Sequence, residues 1–210
     1  MPQLHIPLDL LMYCTSLAAV AMMAAAAVLE AGRKRFDLFG MVVVALAAAL
    51  GGGSLRDLLL DRPVFWIADQ TYSIVALGAA LFTFFLARVF SLPARLFLIP
   101  DALGLALFTV TGTKAALAWD APWLVASFMG VITGVVGGIL RDVLCNEEPL
   151  VFQGTLYATA SWLGALVLLA MLELEINPSI AAVTGGSLVF LLRLAAIRWE
   201  ISLPYFTTKE

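Results

Sequence analysis

Gly52-Gly53-Ser54-Leu55-Arg56-Asp57-Leu58-Leu59 and Gly137-Gly138-Ile139-Leu140-Arg141-Asp142-Val143-Leu144 lie 85 residues apart and agree at six of eight positions. Each places an arginine and an aspartate just behind paired glycines, inside an apolar run. A proline follows each, Pro63 or Pro149. A match this close at one fixed offset reads as a duplication, and the chain around it divides accordingly.

Apolar runs separated by turn chemistry predict seven membrane spans, at 8–30, 37–60, 71–90, 96–118, 122–145, 153–173 and 179–198. The breaks are Asp61-Arg62-Pro63, Ser91-Leu92-Pro93, Asp120-Ala121-Pro122, Glu147-Glu148-Pro149 and Asn177-Pro178-Ser179. Each copy of the glycine motif sits on the second span of a three-span set. Three is odd, so the second set enters from the opposite side, and the halves are inverted about an axis in the membrane plane. The expected fold class is an all-α membrane protein with seven transmembrane helices. Residues 1–93 form the first three-helix repeat, 94–176 the second, inverted one, and 177–210 a seventh helix with a cytoplasmic tail.

Composition agrees. Of 210 residues, 62% are hydrophobic and 13% charged, with a net charge of -3, and the mean hydropathy is +1.01. A soluble domain is nearer half apolar and a quarter charged. Seven spans consume roughly 140 to 150 residues, leaving short loops. No basic run suits nucleic acid. The two cysteines, Cys14 and Cys145, form no disulfide or metal framework. The first apolar run lacks the preceding positive charge of a signal peptide, so it reads as a retained span.

Lysine and arginine set the orientation. The side opposite the N-terminus, side B, collects Arg33, Lys34, Arg35, Arg88, Arg95, Arg141, Arg193, Arg198 and Lys209; side A has Arg56, Arg62 and Lys114. The positive-inside rule makes side B cytoplasmic and puts the N-terminus outside, in a cell inner (plasma) membrane.

Gly51-Gly52-Gly53 weakens span two by about 1 kcal/mol per glycine relative to alanine. Span five carries Gly134, Gly137 and Gly138, with Val136 opposite Gly51. The expectation is a helix break in both spans, its free carbonyl and N–H ends near the midplane able to hold a cation and an anion. Close helix packing is the competing reading of the glycines. Arg56, Asp57, Arg141 and Asp142 are ionisable groups within spans, and such groups mark a wet path by default. Ser54, Thr133 and Gly134 join them as candidates for an ion path. Ser16, Asp101, Thr111 and Lys114 are secondary candidates; Asp101 also suits a helix cap, and Lys114 a snorkelling position. Arg193 and Arg198 read as cytoplasmic anchors. Catalysis finds no support: the lone histidine, His5, has no nucleophile partner, and no HExxH or CxxC is present. No cofactor is implied, and no metal beyond a permeant ion.

At Phe36-Asp37-Leu38-Phe39-Gly40, Gly51 to Asp57 and Pro63-Val64-Phe65-Trp66, the chain resembles the bacterial TRIC (trimeric intracellular cation) channel family. Gly130 to Leu144, Leu192 to Trp199 and Leu203-Pro204 extend the likeness over nearly the whole length. The resemblance implies a homotrimer with a separate pore in each protomer, lined by spans two and five kinked at their glycines. It implies passage of monovalent cations, chiefly K⁺, with membrane lipid as the surroundings. Related bacterial proteins are also classed as glycine-transporter-like, so a carrier for glycine or a similar small zwitterion is the alternative; a non-transporting scaffold is a third. The sequence departs from the family at Ser16, where an aspartate is usual and whose repeat mate Asp101 is kept, and at Val136.

Overall fold

The computed structural model describes residues 8–91, 93 and 95–204. His5, Leu92 and Lys209 lie outside them, as do both chain termini and Ala94 at the expected repeat boundary. The described residues form eight α-helices: α1 Leu8–Ala31, α2 Leu38–Leu59, α3 Phe65–Ala68, α4 Thr71–Val89, α5 Leu98–Leu117, α6 Trp123–Leu144, α7 Ala158–Glu173 and α8 Pro178–Trp199. Five are long and apolar enough to cross a bilayer, namely α1, α2, α4, α6 and α8. Helix α5 is diluted by Asp101, Lys114 and three threonines, and α7 has only 16 residues.

Local chemistry sets the helix ends. Asp37 caps α2 by accepting from Gly40 N at 2.7 Å, and Asn177 caps α8 by accepting from Ser179 N at 2.9 Å, with Pro178 in the first turn. Asp61 and Asn146 take left-handed conformations just beyond α2 and α6 (φ 50° and 52°). The next residues close the helix ends, Arg62 N donating to Asp57 O at 3.0 Å and Glu147 N to Asp142 O at 2.9 Å. The short α3, which hydropathy does not signal, turns the chain back into α4. The sixth run starts later than expected, at Ala158, because Gly154 (φ 71°) and Thr155 form a loop held by the C-terminal tail. Thr155 bridges Ser202, and Leu203 N donates to Gly154 O at 2.7 Å.

Helices α5 and α6 form the centre. Helix α5 packs against α6, α1, α8 and α7, while α2 packs against α6, α1 and α4. The α1 face that meets them is alanine-rich (Ala19, Ala24, Ala27, Ala31), which lets backbones approach closely. Helix α4 turns Ile74, Leu81, Phe82, Phe85 and Val89 outward, a surface suited to hydrocarbon rather than water.

The glycines do not break their helices. Helices α2 and α6 run through Gly51–Gly53 and Gly134–Gly138 without interruption, so the free half-helix ends expected from the sequence are absent. Close packing supplies the reason. A methyl on Gly52 would fall on the carbonyl oxygen of Thr133, and one on Gly137 on that of Ala48. The helices cross with backbone against backbone.

Candidate functional site

Two charged constellations lie at opposite ends of the bundle. On side A, where α2 ends, Arg56 Nε donates to Asp57 Oδ1 at 2.8 Å, and Arg56 Nη2 lies 2.8 Å from the same oxygen. Asp57 Oδ2 accepts from the backbone N–H of Phe65 at 2.9 Å, tying the following loop to the helix. The Arg56 guanidinium rests over the Phe65 ring at 5.6 Å. Arg62 Nε stands 3.4 Å from Asp57 Oδ1, and its guanidinium lies over Trp119 at 5.1 Å. Side chains adjacent in a helix do not face one another. The pairing works because the long arginine folds sideways while the short aspartate points into the loop.

Side B repeats the arrangement. Arg141 Nε donates to Asp142 Oδ1 at 2.8 Å, and Asp142 Oδ2 accepts from Leu150 N at 2.9 Å. Here a second carboxylate joins: Arg141 Nη1 donates to Asp101 Oδ1, which also accepts from the Tyr157 hydroxyl at 3.2 Å. Asp101 is therefore not a helix cap. Arg193 is not a cytoplasmic anchor either. It is 1% exposed, donates from Nη1 to Leu156 O at 2.9 Å, and stacks on Tyr157 at 4.6 Å. Burial leaves Asp101 Oδ2, Arg141 Nη2 and Arg193 Nε without hydrogen-bond partners among the described residues.

A cavity opens beside each constellation. The side A cavity, about 470 Å³, is lined by Ser16, Arg56, Arg62, Tyr72, Thr111 and Lys114 among others. The side B cavity, about 570 Å³, is lined by Glu30, Arg33, Arg95, Asp142, Glu147, Glu148, Arg193 and Glu200 among others. They share no lining residue. Three of the four secondary candidates, Ser16, Thr111 and Lys114, therefore meet Arg56 at one cavity, while Asp101 belongs to the other end.

The small residues sit between. Thr133 is buried, its Oγ1 donating to Met129 O at 2.6 Å. Methyls on Gly51, Gly53, Gly134 and Gly138 would meet Leu140, the Phe65 ring, Leu105 and the Tyr157 hydroxyl respectively. Ser54 accepts from Trp66 Nε1 at 2.8 Å. None of these residues lines either cavity.

Two ion pairs flank side B: Glu30 with Arg33 at 3.1 Å, and Lys34 with Glu147 at 2.6 Å. The second joins the α1–α2 loop to the loop after α6, and the hydrogen bond and charge of Lys34 hold the Glu147 carboxyl below its usual range. At the rim of side A, hydrogen bonds from Thr71 and from the Tyr13 hydroxyl hold Asp69 low as well.

Tyr157 and Arg193 are the site residues that sequence reasoning missed. Tyr157 had a signal, since it stands 85 residues after Tyr72, and Tyr72 pairs with Ser16 as Tyr157 pairs with Asp101.

Comparison with known proteins places this architecture. A family model described as "Glycine transporter" matches residues 13–88 and 98–173. The Escherichia coli K12 UPF0126 inner membrane protein YadS is 40% identical over 204 residues, spanning 96% of this chain and 99% of its own. The structure of a TRIC trimeric intracellular cation channel orthologue from Rhodobacter sphaeroides superposes with a TM-score of 0.87 at 36% identity, covering 91% of this chain and 99% of that one. A second TRIC cation channel structure gives 0.83 at 29% identity, covering 94% and 98%. This membrane protein belongs to the glycine transporter family and shares the TRIC channel fold.

Proposed function

We propose that the chain is a monovalent-cation channel permeable to K⁺, assembled as a homotrimer with one pore in each protomer. The observation that carries this reading is the full-length likeness to the Rhodobacter sphaeroides cation channel orthologue. The two cavities entering the bundle from opposite ends support a path along the α2–α6 contact. Helices α2 and α6 line that path, and conduction requires them to bend or part where their glycines touch. Residues Gly51 to Asp57 and Thr133 to Asp142 form its narrow part; Ser16, Thr111 and Lys114 form its side A mouth.

The path runs through two inverted repeats, residues 1–93 and 94–176, followed by residues 177–210, with all seven long helices crossing the membrane. Support comes from three reciprocal facts. The two stretches matched by the family model begin 85 residues apart. The contact of Gly52 with Thr133 is mirrored by that of Gly137 with Ala48, the same pair after an 85-residue exchange. The left-handed residues Arg35 and Asp120, and Asp61 and Asn146, are spaced likewise. Side B faces the cytoplasm and the N-terminus lies outside.

Purified protein in planar bilayers should give unitary K⁺ currents. Their absence over a wide voltage range, with folded trimer verified, overturns the channel reading. A second reading, carriage of glycine or a similar zwitterion, is favoured by the family description and by the unpartnered Asp101 Oδ2, Arg141 Nη2 and Arg193 Nε, which suit an ammonium and a carboxylate. Saturable glycine counterflow in proteoliposomes without unitary steps would establish it instead.

A further inference from the structure

The side A cavity has an unbalanced charge. Arg56, Arg62 and Lys114 line it, and no carboxylate does. The carboxylate behind it, Asp57, is fully buried and already committed: Oδ1 to Arg56 and Oδ2 to the N–H of Phe65. Arg62 Nε, 3.4 Å from that same Oδ1, makes no hydrogen bond among the described residues. Asp69, at the rim, is engaged by Tyr13 and Thr71. The opposite end is built the other way, with Arg141 meeting both Asp101 and Asp142. One buried carboxylate thus serves two arginines on side A, and a lysine shares their cavity. Phe65, Tyr72 and Phe108 wall that cavity, lowering its dielectric and strengthening its field.

We propose that this cavity is an oxyanion site for the phosphate class, free phosphate or a phosphodiester. The three cations come from the end of α2, the loop after it and the end of α5. A tetrahedral anion with oxygens in several directions suits such convergence, whereas a planar carboxylate is matched by a single arginine fork. The site rests on the charge and shape of the cavity, so it stands whether or not the chain conducts cations. If cations do pass, a bound anion offsets the repulsion they meet at this mouth.

The test is thermal unfolding of the detergent-solubilised full chain against inorganic phosphate, with ionic strength held constant by KCl. The expected result is a saturable rise in melting temperature. Arg62→Gln and Lys114→Gln should each weaken the apparent affinity about ten-fold, the scale of one charge-assisted hydrogen bond. Arg88→Gln, on α4 away from the cavity, should respond like wild type. Both test variants are half-exposed positions checked first for a cooperative melt without phosphate, and either one suffices. Repeating the titration in phosphatidylcholine nanodiscs with and without phosphatidylglycerol separates the sources. A response flattened by lipid assigns a lipid phosphodiester, and one that persists assigns free phosphate. No rise beyond that in KCl, or a wild-type response from both variants, overturns the proposal.

Discussion

Arg141 and Asp142 are buried together with a second carboxylate, Asp101, and a second arginine, Arg193. Isolated charges at such depth are prohibitive, and paired ones persist only while every partner stays. Asp142→Asn removes the charge facing Arg141 Nε while leaving the side chain's shape. It should cost about 3 kcal/mol, within the range for breaking one side of a buried pair, read as a lowered melting temperature in detergent. Arg193→Leu should cost about 2 kcal/mol, because the Leu156 carbonyl and the Tyr157 face lose their shared cation. The first pair was legible from sequence, since a charge inside an apolar run stands out against its neighbours. Arg193 lay in an equally apolar run but near its end, where snorkelling explains an arginine equally well. Only the tertiary approach of α8 to the loop before α7 distinguishes the two.

At the level of elements, the glycines were correctly singled out but given the wrong physics. Low helix propensity argues for a break only where nothing compensates, and α2 and α6 compensate by lying against each other backbone to backbone. Propensity along one chain cannot register that partner. A methyl at Gly52 or Gly137 falls on backbone oxygen, which cannot rotate away. Gly52→Ala and Gly137→Ala should therefore each destabilise by about 2 kcal/mol through overpacking and should widen the α2–α6 contact. Gly78, on α4, has open space around it. Gly78→Ala should be neutral or stabilise by up to about 1 kcal/mol from helix propensity. Melting temperatures of the three variants check this. Equal losses at all three would mean that α2 and α6 do not depend on their close approach.

Across the whole molecule, the duplication makes the two ends alike in geometry, and a few positions make them differ in charge. Ser16 stands where its mate is Asp101, and Arg62 where its mate is Glu147. The offset was readable because identical motifs recur. The consequence of the exceptions was not, because it depends on which side chains reach a common cavity. Glu147, freed from the arginine role of its mate, instead pairs with Lys34 across side B. Its folded carboxyl is held below the usual 4.5, so this pairing favours the native state above that value and ceases to as pH falls through the depressed one. Any melting-temperature difference between wild type and Glu147→Gln should be constant at neutral pH and vanish in acid. The same charge division bears on conduction. Cations crowd the side A mouth, while carboxylates outnumber cations five to three around side B. A permeating K⁺ therefore meets repulsion at one mouth and attraction at the other. Single channels in symmetrical KCl at about 0.1 M, where the Debye length is about 10 Å, should pass unequal currents at opposite voltages. At about 1 M, screening within about 3 Å should make the currents nearly equal. Arg62→Gln should reduce the asymmetry at low salt without abolishing conduction. Symmetrical currents at low salt would mean that permeating ions do not sample both mouths, and the path would have to be sought away from the α2–α6 contact.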